Sequence, residues 1–153
     1  MADRSDISSG QRTLTFQEAL DLGVQHHNAG DLSKAESIYN QILEADPDQP
    51  AALHLLGVIA HQTGNHEKAV ELIKKALTLK PDYAEAYYNL GIVFTDSGRL
   101  YEALASCHAA VELKPDFPDA HYNLSIVVQT IGILHDAITN YYNTLKFKLT
   151  SLT

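Results

Sequence analysis

The chain has 153 residues, 45% of them apolar, and a formal net charge of −8 with a pI near 5.3. That length suits one domain or a short repeat array, and the apolar share supports a packed interior. Acidity on this scale argues against a nucleic-acid partner, because phosphate recognition needs a basic face.

Ala, Leu, Glu and Lys are frequent and β-branched runs are few, which predicts an all-α fold. The single cysteine, Cys107, allows no intrachain disulfide and falls among inward apolar positions. It reads as a small buried hydrophobe rather than a reactive thiol. No apolar run approaches the ~20 residues that span a bilayer, so no membrane insertion is expected. The polar start lacks the apolar core of a secretory signal, and the expected location is cytoplasmic.

Residues 1–15 are polar, with Ser, Asp and Arg prominent, and read as a disordered leader. From Phe16 onward one interval governs the sequence. Gly23, Gly57 and Gly91 lie 34 residues apart, with Ser125 in the fourth place. Gly30, Gly64, Gly98 and Gly132 keep the same interval, as do Ala35, Ala69, Ala103 and Ala137, and Pro47, Pro81 and Pro115. Several residue types in phase at one spacing identify a helical repeat array.

The first repeat covers 16–49. Its first helix buries Ala19, Leu22, Gly23 and His26 or its neighbour; Asn28 to Asp31 form the turn. Its second helix places Ala35, Ile38, Tyr39, Ile42 and Leu43 on one stripe. Pro47 ends it, since proline disfavours helical backbone at the residue before it. The second repeat, 50–83, opens on Pro50, which suits a first helical turn. Leu53, Leu56, Gly57 and Ala60 face Ala69, Ile73, Ala76 and Leu77, with Gly57 and Ala69 small so that the two helices can approach. The third repeat, 84–117, is the most regular. Asp82 and Glu85 have capping-box spacing, and Asp96, Ser97 and Gly98 supply turn chemistry. The fourth, 118–153, is degenerate: Ser125 replaces the glycine and no proline closes it. No polar capping helix is evident, so either the chain continues in a longer protein or its last helix covers itself against a partner chain. Tyr141, Leu145, Phe147 and Leu149 near its end predict a homo-oligomer formed through that helix.

Leu-Gly in the first helix, Gly at the turn, Ala then an aromatic on the second helix and a closing Pro resemble the tetratricopeptide repeat. The resemblance covers roughly 16–149. The family's usual tryptophan is replaced by Ala19, Leu53, Tyr87 and His121. It implies a right-handed α-solenoid whose first helices line a concave groove. The groove candidates are His27, Asn28, His54, His61, Tyr88, Asn89, Ile92, Tyr122, Asn123 and Ile126, with Val24 and Val58 beside them. These apolar, aromatic and amide groups suit an extended peptide or a helix laid in the groove.

Asn89 and Asn123 share one slot, in Tyr-Asn-Leu-Gly and Tyr-Asn-Leu-Ser. This pattern resembles the repeats of the O-linked N-acetylglucosamine transferase family, whose asparagine ladder holds substrate backbone. By that resemblance both would be peptide contacts; the alternative is that they bond neighbouring helices within the chain. Asp21 and Leu55 break the ladder on the earlier rungs. A second branch of the family grips acidic C-terminal tails with a basic clamp. Leu20, Val24, Leu55, Glu85 and Asp119 stand in the corresponding slots, which disfavours such tails.

The histidines are scattered, with no His-Glu-x-x-His or Cys-x-x-Cys spacing, so neither a metal nor a cofactor is expected. No nucleophile elbow or phosphate loop marks an active site. The expected function is a non-catalytic scaffold that binds a protein or peptide. The alternative is the leading repeat arm of a larger glycosyltransferase or sulfotransferase, which the stretch from His26 to Gly64 resembles.

Overall fold

The computed structural model describes the backbone of residues 6–9 and 12–152 and the side chains of 13–152. Six helices pair in order: α1 (Phe16–Asn28) with α2 (Leu32–Ala45), α3 (Pro50–Gln62) with α4 (His66–Leu79), and α5 (Ala84–Asp96) with α6 (Leu100–Leu113). A seventh, α7 (Pro118–Ser151), runs unbroken for 34 residues. Each pair packs on the next, giving an all-α solenoid.

The turns follow from local chemistry. Gly30, Gly64 and Gly98 have φ of +80°, +86° and +74°, backbone that a side chain resists and glycine adopts freely. The amide of Asp31 donates to the carbonyl of His26 at 2.9 Å, and that of Gly30 to His27 at 3.0 Å. This is the Schellman closure of a helix end. The next helix is then capped: Asp31 accepts from the Lys34 amide at 3.3 Å, and Asn65 from that of Lys68 at 3.2 Å. Pro50 and Pro118 open α3 and α7, where a missing N–H costs nothing.

Between paired helices the close approach falls at the second glycine series. A Cβ at Gly23 would lie 2.5 Å from the Tyr39 ring, one at Gly57 2.7 Å from Ile73, and one at Gly91 2.6 Å from Cys107 Sγ. Tyr39, Ile73 and Cys107 are fully buried at these crossings. Two adjoining cores result. One joins Ala19, Tyr39, Ile42, Leu53 and Leu56, and the other joins Ile73, Leu90, Phe94, Cys107 and Val127.

Three expectations are corrected. Within the leader expected to be disordered, β1 (Asp6–Ser9) and β2 (Arg12–Thr15) pair antiparallel, Ile7 opposite Leu14. Leu14 packs on the first core, which anchors β2, and Thr15 closes a capping box with Glu18. Residues 1–5, 10 and 11 of that leader lie outside the described residues. Asp82 does not cap α5: the cap position is Tyr83, without a side-chain bond. The fourth repeat does not form a helix pair, because α7 passes straight through Gly132. Ile133 follows that glycine, where Asp31, Asn65 and Arg99 follow the three that turn, so an apolar side chain stands at the place where a polar one begins each second helix.

Candidate peptide-binding face

The first helices α1, α3 and α5 and residues 118–131 of α7 form one face. The ninth position of each repeat points along it: Val24, Val58 and Ile92 are half-buried, and Ile126 is 36% exposed. These four residues make an apolar stripe crossing all four repeats.

Polar bonds run beside the stripe at a separation of 35 residues, one repeat plus one. The ring of His27 meets Gln62 Oε1 at 2.7 Å through Nε2. His61 Nε2 meets Asp96 Oδ2 at 2.7 Å, the imidazole more enclosed than the carboxylate. Asn89 Nδ2 donates to His54 Nε2 at 2.7 Å and to the Glu85 carbonyl at 3.1 Å. Each joins a first helix to the first helix of the next repeat.

His54 departs from its expected place. It is only 4% exposed, enclosed between Asn89 and the hydroxyl of Tyr83, 3.0 Å from its Nδ1. The Tyr83 ring meets it edge-on at 4.8 Å. Burial drives its pKa down to about 4, with the nearby Glu85 carboxylate opposing. A neutral imidazole fits these bonds: Nδ1–H donates to Tyr83 Oη, and Nε2 accepts from Asn89. His54 is thus a buried strut, and both Asn89 donor bonds are intramolecular. The reading of Asn89 as a bond between neighbouring helices describes its amide nitrogen.

The other candidates are reachable. Asn28 is exposed, and His27, His61, Tyr88, Asn123 and Ile92 are half-buried. Tyr122 is 68% exposed, while the Tyr88 ring lies 5.0 Å from that of Phe117. Glu85, at the rim, is held below the usual carboxylate range by its own backbone N–H and by Lys114, 3.1 Å away.

Sequence reading missed the His54–Tyr83 contact and the ladder of 35-residue bonds. The recurrence of His27 and His61 in one slot, with Gln62 and Asp96 in the slot that follows one repeat later, was the available signal. It also missed a cleft of about 600 Å³ on the opposite side, between α2 and α4, floored by Leu53 and Leu56 of α3 and rimmed by Glu36, Lys68 and Lys75. Cys107 is buried as expected, and burial pushes its thiol pKa up. Among the described residues no three His, Cys, Asp or Glu side chains gather as a metal set. No helix there is long and apolar enough to cross a membrane.

Family models described as tetratricopeptide repeat match residues 16–59 and 84–117, and one described as TPR repeat matches 59–98. No curated protein sequence matches the chain. Among solved structures, a mutant O-GlcNAc transferase of Thermobaculum terrenum is 34% identical over 73% of this chain, with a TM-score of 0.72. The chain spans only 22% of that protein's length. The Sgt2 TPR domain of Aspergillus fumigatus is 22% identical, covering 78% of this chain and 81% of its own, with a TM-score of 0.74. The second TPR domain of human RPAP3, solved with the HSP70 peptide SGPTIEEVD, is 22% identical, covering 71% and 91%, with a TM-score of 0.65. The matched models together with the stacked helix pairs and their glycine crossings establish that the chain belongs to the tetratricopeptide-repeat family.

Proposed function

We propose that the chain is a non-catalytic, cytoplasmic interaction module that binds a peptide segment along the face of its first helices. One observation carries this reading. The stripe of Val24, Val58, Ile92 and Ile126 lies on α1, α3, α5 and residues 118–131 of α7, which hold no Lys or Arg, while Glu18, Asp21, Glu85, Asp96 and Asp119 supply carboxylates. An apolar strip with acidic surroundings suits a segment carrying apolar anchors and basic flanks. It disfavours the acidic tail type seen with the RPAP3 domain, because these helix segments offer a tail carboxylate no Lys or Arg and Lys114 at the rim is already paired with Glu85. Asn123 and the free carbonyl side of Asn89 remain available to backbone groups.

Fluorescence polarisation with two labelled peptides tests this, one alternating Leu and Lys, one ending in Glu-Glu-Val-Asp. Preference for the basic peptide of at least about tenfold, lost in Ile92→Lys, is the expected result; tenfold corresponds to ~1.4 kcal/mol. Tighter binding of the acidic peptide, or an Ile92→Lys variant that binds the basic one unchanged, removes the reading.

Two further readings have specific support. The likeness to part of the Thermobaculum enzyme favours a repeat arm of a larger glycosyltransferase, with a sulfotransferase arm as the variant of that reading. A gene whose reading frame continues into a catalytic domain supports it, and a frame without one opposes it. Exposed Ile138, Tyr141 and Phe147 favour self-association through α7.

A further inference from the structure

In each of the first three repeats a small residue on the first helix receives a larger one from the second: Gly23 receives Tyr39, Gly57 Ile73, and Gly91 Cys107. Continuing the interval of 34 residues, the fourth pair is Ser125 and Tyr141. Both residues sit on α7, 16 positions apart, which on one straight helix separates them by about 24 Å. Both are exposed, Tyr141 at 67%. Val128 is 53% exposed, although its counterpart Phe94 one repeat earlier is at 2%. The chain therefore carries both halves of a helix-to-helix interface and closes neither.

We propose that two copies exchange the second half of α7, each completing the other's fourth repeat. This rests on the chain self-associating through α7 and adds how. Two continuous helices laid antiparallel about Ile133 set Ser125 against Tyr141 of the second copy, and Val128 against its Ile138. The same contacts recur on the other side of the two-fold, so the assembly closes at two chains. Gly132 falls at the crossing, where an added Cβ would meet nothing within 4 Å and helices can approach.

Three features favour exchange over folding back within one chain. Ile133 follows Gly132 where Asp31, Asn65 and Arg99 follow the turning glycines, so an apolar side chain stands where a polar one begins each second helix. Ile131 and Ile133 flank it, and β-branched residues suit helix or strand better than a tight turn. Finally, a tight turn would fix the helix spacing found in the first repeat, where a Cβ opposite the Tyr39 ring comes within 2.5 Å. Ser125 has that Cβ, and Tyr141 has that ring. Between two copies no turn dictates the spacing.

The test uses the full chain carrying Ser125→Cys together with Tyr141→Cys, with light scattering of the unaltered chain alongside. The expected mass is twice 16.8 kDa, and mild oxidation is expected to give a covalent dimer on a non-reducing gel. Cys107 stays silent because it is buried. A dimer by scattering whose cysteines link only within one chain, or not at all, overturns exchange and leaves self-association standing. A monomer at all concentrations overturns both. As a second arm, Ile133→Asp recreates the Gly-Asp pair of Gly30 and Asp31. It is expected to shift the population at least about tenfold toward monomer with an intrachain link; an unchanged dimer would contradict the proposal.

Discussion

Gly98 and Gly132 hold the same place in successive repeats, yet the chain turns at the first and runs straight through the second. At Gly98 the φ is +74°, the Arg99 amide reaches the Phe94 carbonyl at 2.8 Å, and α6 folds back so that Cys107 meets Gly91. At Gly132 the preceding and following residues are isoleucines, and the slot that Gly91 fills holds Ser125. The difference teaches that glycine permits a left-handed turn without compelling it. The turn forms where the returning helix also gains a tight, apolar crossing.

The largest expected effect concerns the closed part. His54 is held near a pKa of about 4 in the fold, against 6.5 for the free side chain. The unfolded chain therefore binds this proton more readily between those values, and its contribution to stability is complete above about pH 6.5. It falls as pH drops toward 4, by roughly 3 kcal/mol in all. Urea midpoints at pH 7.5 and 4.5 are expected to converge for His54→Phe relative to the unaltered chain; an equal pH slope in both contradicts the burial account.

Next comes the crossing. Gly91→Leu is expected to cost about 1–3 kcal/mol through overpacking against Cys107, with Gly57→Leu against Ile73 similar. Thermal melts that do not move would show the helices can separate freely. The turn glycines follow, and here the comparison reverses sign. Gly98→Ala places a side chain at positive φ and is expected to cost about 1–2 kcal/mol. Gly132→Ala, inside a continuous helix, is expected to gain up to ~1 kcal/mol of helix stability. Circular dichroism melts of the pair decide it, and a loss of equal size in both would mean that Gly132 turns in solution.

Much of this was legible before the structure. The interval of 34 fixed the helix pairs and the crossing residues, because a repeated packing solution leaves repeated small and large residues. Its weakness lay where the interval persists and the chemistry has changed: Gly132 keeps phase, but Ile133 follows it and Ser125 stands in the slot of the crossing glycine. On the candidate face Ile92 and Ile126 are accessible, whereas His54 is buried. Helical phase alone places His54 beside the stripe; Tyr83, from the loop before α5, covers it, and a loop contact has no period to betray it. Likewise, Asp82 had the right spacing for a cap, but the backbone enters α5 at Tyr83.

The bonds spaced by 35 residues have a consequence for how the molecule comes apart. They tie the first repeat to the second and the second to the third. Between the third and fourth the ladder lapses, since the Thr95 and Thr130 hydroxyls bond back to Gly91 and Ile126 of their own helices. In a one-dimensional array each joint sets its own strength. Loss of order under load or heat therefore begins at the α7 end and travels inward, stopping first at the His61–Asp96 rung; amide exchange would record it as a gradient along the rod.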